Sequence, residues 1–186
     1  IFFLHESNFG QSQCRTFPGV AAAVRSAEQM VFSSQATASL YDEFTRQERV
    51  AILYTGLEFT PPDPQTFTPP FERQPGKLYL VSVGSIEPRK GQDVLLRALE
   101  ALPPQIAAQV ECFLLGRILY KLEKSFCERV VQKAAQMGNV HVLGEIPLAE
   151  VKRYLTAADV FVLPSRDESL PVSLIEAMAL GKPSIV

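Results

Sequence analysis

No C-x-x-C pair occurs in this sequence, and its three cysteines, Cys14, Cys112 and Cys127, lie far apart. An odd number at that spacing fits neither a zinc site nor a disulfide framework, so reduced, buried thiols in a cytosolic setting are expected. Neither sign of charge is in excess. The formal net charge of -2 gives no global pull towards nucleic acid or acidic lipid. No apolar run approaches the roughly 20 residues that a membrane-spanning helix requires. No G-x-G-x-x-G follows any strand-like run, which argues against a nicotinamide or flavin dinucleotide, and no P-loop pattern is present. Also missing are an initiator methionine and a signal peptide. The chain opens on IFFLHES and stops at KPSIV, where a further strand begins, so an internal piece of a longer protein is expected.

What is present describes an ordinary soluble globular protein, with 47% hydrophobic and 20% charged residues. Its 186 residues suit one full-sized domain, or one domain and part of another. Proline marks the division. Six of the 14 prolines fall in TPPDPQTFTPPFERQPG, residues 60–76, where they remove backbone donors and oppose helix and central strand alike. The stretch reads as an exposed linker between residues 1–59 and 77–186.

Before the linker, IFFL and MVFS read as buried strands. Ser33 or Ser34 is placed to cap a helix over QATASLYDEF, and RVAILYTG is a third strand ending at Gly56. This is the tail of an α/β unit. After the linker, strands LYLVSVG, VECFLLG, NVHVLG, DVFVLPS and PSIV alternate with helices. One helix carries Val94, Leu95, Ala98, Leu99 and Leu102 on a single face, and the next carries Leu122, Phe126, Val130, Ala134 and Met137. Leu148, Val151 and Leu155 mark a third, and VSLIEAMAL is a fourth. Near-continuous apolar strands alternating with helices imply a parallel sheet covered on both faces, a Rossmann-like α/β domain cut before its last elements.

In such sheets ligands bind beyond the carboxyl ends of the strands. The loops there are GSIEPRKG (84–91), GRILY (116–120) and PSRDESLP (164–171). Arg89 and Lys90 stand at a helix start, where exposed amides already favour an anion. A solvated pair and a phosphate site are equally compatible with the sequence there. His141 alternates with Val140 and Val142 and reads as a hydrogen-bonded structural histidine. Asp167 reads as ordering its loop, and Arg117 and Arg166 as solvated rather than as ligand contacts. Glu168 and Glu176 are eight residues apart with only uncharged residues between them. Pro171 favours a helix start close by, so Glu168 belongs to the loop and Glu176 sits one to two turns into the helix. Leu174, Ile175, Ala177 and Met178 make an apolar setting for Glu176, where an unpaired carboxylate is costly and a ribose diol would suit it. The free amides around Val172, Ser173 and Leu174 are suited to phosphate.

Taken together, PSRDESLPVSLIEAMALGKPSIV resembles the E-x7-E signature of glycosyltransferase family 4, a group of GT-B fold enzymes. VSVGSIEPRKGQDVLLRAL resembles the phosphate-binding segment of that family, and NVHVLGEIPLAEVKRYLTAADVFVLPS its nucleobase-side segment. VFSSQATASLYDEF and RVAILYTGLE resemble the end of its N-terminal, acceptor-binding domain. The resemblance covers nearly the whole chain with the motifs in order. It implies a truncated, Rossmann-like C-terminal donor domain at 77–186, and the tail of a Rossmann-like N-terminal domain at 1–59.

It further implies transfer of a sugar from a nucleoside-diphosphate sugar to an acceptor (glycan, lipid or small molecule) with retained anomeric configuration and no metal or other cofactor. By that resemblance Glu176 binds the ribose and Glu168 lies near the donor sugar. Arg89 and Lys90 hold the diphosphate and stabilise charge on the leaving group. Gly84, Ser85, Leu170, Val172 and Ser173 contribute to the donor site, and backbone at Val142 to Gly144 contacts the base. His5 resembles a strand-end histidine near the active site of some members, and a structural role fits it equally. Two departures stand out: Ser169-Leu170-Pro171 replaces a common Gly-Phe-Gly, and Ser85 replaces a common arginine. No nucleic-acid partner is implied. A cytoplasmic setting is expected, with peripheral association at the inner membrane face through residues before this chain left open. Two further readings remain: a non-catalytic nucleotide-sugar-binding module, and an unrelated Rossmann-like domain. The fragment alone is expected to be inactive.

Overall fold

The apolar runs pair into two parallel sheets in the computed structural model, which describes residues 1–4, 7–57, 60–63 and 65–186, and of Leu122 only the backbone. They belong to two compact units: Ile1–Leu57 with Asp167–Val172, and Glu58–Arg166 with Ser173–Val186.

In the first unit, β1 (Phe2–Leu4), β2 (Met30–Phe32) and β3 (Val50–Ile52) pair in parallel in that order. Helices α1 (Asn8–Thr16) and α2 (Pro18–Ser26) join β1 to β2, and α3 (Gln35–Ser39) follows β2. Met30, Phe32 and Tyr41 are buried with Cys14, Val24 and Phe44 in one core. Of the two capping candidates it is Ser34 whose hydroxyl accepts from the Thr37 amide, at 3.1 Å. Three sequence expectations are corrected. IFFL, read as a buried strand, leaves Ile1 and, on β1, Phe2 and Phe3 exposed. The helix over residues 35–44 stops at Ser39 and continues as turns, and the strand over 49–56 is paired only at Val50–Ile52.

The second unit holds β4 (Leu78–Val83), α4 (Gln92–Glu100), α5 (Pro104–Ala107), β5 (Val110–Leu115), α6 (Tyr120–Met137), β6 (Val140–Gly144), α7 (Leu148–Ala157), β7 (Val160–Val162), α8 (Val172–Ala179) and β8 (Ser184–Ile185). The Val172 end of α8 falls in the first unit. All five strands are parallel, in the order β6-β5-β4-β7-β8. Numbered within the unit that is 3-2-1-4-5, the doubly wound arrangement in which the crossovers before and after the reversal of strand order cover opposite faces.

Period-2 alternation assigns each strand residue to a face. Leu80, Cys112, Leu114, Val140 and Val162 pack under α4 and α6, while Tyr79, Val81, Phe113, Leu115 and Phe161 pack under α7 and α8. Three expectations need correction here. The buried side of α4 is Gln92, Leu95, Leu96 and Leu99, an i, i+3, i+4, i+7 set, and Val94 and Ala98 are exposed. Leu148 is exposed too, leaving Val151 and Leu155 to seat α7. Within the 60–76 stretch Phe71 is not exposed: it stacks on Tyr79 and Phe113, with centroids 4.6 and 4.7 Å away. Among the described residues no helix is long and apolar enough to cross a membrane.

Candidate functional site

Between β4 and β7 the chain's crossovers diverge to opposite faces, the point at which sheets of this order generally bind ligands beyond the strand ends. Glycines set the floor there. The Gly84 amide donates to the Leu115 carbonyl and the Gly116 amide to the Gly144 carbonyl, both at 2.8 Å. A Cβ on Gly116 would lie 2.2 Å from the Gly84 oxygen, so the two strand ends approach closer than any side chain permits.

Beyond Gly84 the chain makes a 3₁₀ turn, Pro88–Lys90, before α4. The Lys90 stem runs back over Gly84, its Cδ lying 3.5 Å from where a Cβ would be. Arg89 is exposed, and its guanidinium meets Glu87 at 3.2 Å. Ser85 donates to the same Glu87 oxygen at 2.7 Å. Buried Gln92 supports the loop from below by donating to the Ser85 carbonyl at 2.8 Å, while its own amide oxygen has no partner among the described residues.

On the other side, α8 begins at Val172, directly after Pro171, and the Ser173 hydroxyl ties it to β4 through the Val83 carbonyl at 3.2 Å. Glu176 follows three residues later, on the same side of the helix. It is half-buried, and its carboxylate makes no hydrogen bond or ion pair among the described residues. Burial pushes its carboxyl above the usual carboxylate range, and the positive charge of Lys152 on α7 opposes that rise.

Glu168 and Leu170 belong to the first unit, with Val172. There Ser7 and Asn8 donate to the Asp167 carboxylate, and Ser34 and Thr37 donate to the Ser169 carbonyl at 2.8 and 3.2 Å. Both neighbours of Glu168 are therefore fastened, and Asp167 orders the loop as expected. His5 lies outside the described residues.

In the second unit the structure groups Gly84, Ser85, Lys90, Gly144 and Ser173 around the carboxyl ends of the strands, with Glu176 one turn along α8. His141 stands apart from them: it bonds Glu111 at 2.8 Å, beside the Lys77–Glu111 ion pair, and stacks on Phe113. The expectation of a structural histidine fits that environment. Arg117 is exposed and only loosely paired with Glu145, at 3.9 Å. Arg166 is exposed, as expected, and in addition its guanidinium grips the Asp93 carboxylate with two bonds, at 2.9 and 2.7 Å. Gln92, Lys152 and this pair were not legible as site residues. Each meets its partner across a fold contact, and no local motif announces it.

The family described as glycosyl transferases group 1 matches residues 64–186. The chain is 33% identical over 145 residues to the D-inositol 3-phosphate glycosyltransferase of Pseudarthrobacter chlorophenolicus, covering 71% of this chain and 34% of that protein. It is 32% identical over 114 residues to the amylovoran biosynthesis glycosyltransferase AmsK of Erwinia amylovora, covering 58% and 27%. The chain thus spans about a third or less of the length of these relatives. Among solved structures it superposes on Anabaena HepE in complex with UDP and glucose with a TM-score of 0.73 at 23% identity, over 98% of this chain and 51% of that one. The sucrose-phosphate synthase of Thermosynechococcus elongatus gives 0.74 at 21%, over 98% and 48%. At these identities the likeness is one of fold: the parallel-sheet α/β arrangement of GT-B type.

Proposed function

Given that the chain belongs to the glycosyl transferases of group 1, we propose that it carries the donor side of an enzyme that moves a sugar from a nucleoside-diphosphate sugar to an acceptor. The subgroup is family 4, and the anomeric configuration is retained without a metal. Residues 77–186 form the donor domain, and residues 1–59 belong to the acceptor domain. Anabaena HepE, solved with UDP and glucose, supports the choice of donor class.

The observation that carries this reading is Glu176. A half-buried carboxylate with no protein hydrogen bond is unfavourable on its own, because burial strips water from the charge. Two vicinal hydroxyls of a ribose supply the missing donors. The Lys90 stem folds back over Gly84, and in this reading its ammonium turns to the diphosphate while Arg89 exchanges Glu87 for phosphate. Amides of Val172 and Ser173 at the start of α8 add donors, and Pro171 supplies none. Backbone at Val142 and Gly144 borders the base. As the bond from the sugar C1 to the phosphate oxygen breaks, these cations and amides stabilise the growing charge on the leaving diphosphate. The acceptor oxygen bonds C1 from the same face, and its proton leaves on the departing phosphate. Glu168 is assigned to the donor sugar, and His5 to catalysis or, equally, to a structural role.

The test is calorimetric titration of the full-length protein with UDP, GDP and ADP, together with assays of sugar transfer. Glu176→Ala and Lys90→Ala should each weaken the preferred diphosphate at least tenfold, and Glu168→Ala should abolish transfer while leaving the diphosphate bound. Unchanged affinity in both of the first two variants would sink the site assignment. Tight binding with no transfer or donor hydrolysis would make the protein a binding module.

A further inference from the structure

The loop that carries Arg89 and Lys90 is held in place by groups outside the expected ligand set. Arg166, on the loop after β7, donates its backbone amide to the Arg89 carbonyl at 2.8 Å. Its guanidinium donates to the Pro88 carbonyl and, through both terminal nitrogens, to the Asp93 carboxylate at 2.9 and 2.7 Å. Asp93 sits in the first turn of α4, where a negative charge is favoured, and Arg97 one turn on lies 3.9 Å from it. Gly91 presses against the Pro164 carbonyl with no room for a side chain. Backbone, fork and close approach thus fasten the Pro88–Gly91 turn to the Pro164–Arg166 loop, across the point where the strand order reverses.

Neither member of the pair faces the strand ends as Lys90 does. Resting on the donor-site reading above, we propose that Arg166 and Asp93 are positioning residues: their bidentate pair pre-sets the Pro88–Gly91 turn so that Lys90 meets a nucleoside diphosphate already in place. Both side chains are more than a third exposed, so the pair itself adds little to global stability. Its effect falls on the ordering that the turn would otherwise undergo on binding. Releasing the long Arg166 side chain, its Asp93 partner and their turn before binding lowers affinity by about tenfold. The loss is confined to ligands that carry the diphosphate.

The experiment uses the full-length protein and measures affinity for UDP, GDP and ADP, each beside its own nucleoside, and amide hydrogen exchange without ligand. Arg166→Ala and Asp93→Ala should each weaken the preferred diphosphate about tenfold and change its nucleoside less than about twofold. The double variant should lose no more than either single one, because the pair acts as a unit. Arg166→Lys, which keeps the charge and loses the fork, should fall between. Amides of residues 85–91 should exchange faster in both alanine variants, with the strands unchanged. Diphosphate affinity unchanged in these variants but weakened by Lys90→Ala would overturn the positioning role and leave the donor site standing. Equal losses for nucleoside and diphosphate would overturn it too, by showing a general structural effect. Failure of the unaltered protein to bind any of the three diphosphates would overturn the donor-site reading and this proposal with it.

Discussion

Replacing Gly91 by alanine separates backbone strain from close packing at the candidate site. Gly91 has φ 67°, and Gly138, after α6, has φ 73°. An alanine at either position meets the same left-handed strain, about 1–2 kcal/mol. Their surroundings differ. A Cβ on Gly138 meets nothing within 4 Å, whereas one on Gly91 would lie 1.9 Å from the Pro164 oxygen. Ordinary contact begins at 3.4 Å, so that carbonyl must retreat by about 1.5 Å. Such a shift carries Arg166 with it and strains its bonds to Arg89 and Pro88. Overpacking of this kind costs about 1–3 kcal/mol, and one lost backbone hydrogen bond about 1 kcal/mol more. Gly91→Ala should therefore cost about 3–6 kcal/mol against about 1–2 kcal/mol for Gly138→Ala. Urea unfolding of both variants under the same conditions measures the difference. Equal costs would refute the reasoning, because the close approach of the two loops would then carry no energy.

Other perturbations test separate links. Glu176 has a folded-state pKa above its ordinary value, so its ionisation costs stability as pH rises from that value upward, and its capacity to accept from a ribose is lost as pH falls through the same window. Nucleoside affinity should accordingly drop on acidification within that window, and the drop should vanish in Glu176→Gln. A pH profile identical in the two proteins would count against a ribose role. Ser34→Ala should cost about 1 kcal/mol or more, since the hydroxyl caps α3 and holds the Ser169 carbonyl, while Ser33→Ala, whose buried hydroxyl has no partner, should be near neutral in the same unfolding assay. Burial pushes the Cys112 thiol up to about 12 and raises Cys14 and Cys127, so a disulfide-exchange reagent at pH 8 should modify none of the three until denaturant is added. Rapid modification of the native protein would place at least one thiol at the surface.

How far the fold could be read depended on whether an element carried its own periodic signal. The five strands after residue 76 are short, apolar and bounded by glycine or proline, and each appears where its pattern placed it. Helix α1 went unread because NFGQSQCRT buries only Cys14 and shows no apolar stripe. Helix α2 is signalled by Pro18 at its start, but its alanines carry a weak pattern. On α4 the apolar residues are dense enough for two overlapping stripes to be drawn. The sheet selects the one through Gln92 and Leu96, because Gln92 is needed beneath Ser85. Phe71 shows the opposite error: six prolines marked its neighbourhood as linker, yet an aromatic ring finds a stacking partner whatever the backbone around it does.

The setting of a candidate residue was legible where one local stretch supplies it: Glu176 lies in the helix that starts after Pro171 and is half-buried there, as its apolar neighbours indicate. It was illegible where function depends on residues brought together from distant parts of the chain. Asp93 and Arg166 stand 73 positions apart, and alone each reads as a helix-start acid and a solvated cation. Only the strand order puts β4 beside β7 and so sets the two loops side by side. Pro171 shows the same dependence in reverse. Read in isolation, a proline between the two glutamates removes a phosphate donor. In the structure it stands immediately before α8, and the amides of Val172, Ser173 and Leu174 follow it in the first turn, where a helix offers them no partner of its own. The loss is therefore one donor at the helix boundary, and the fixed φ of proline favours the helix start in return.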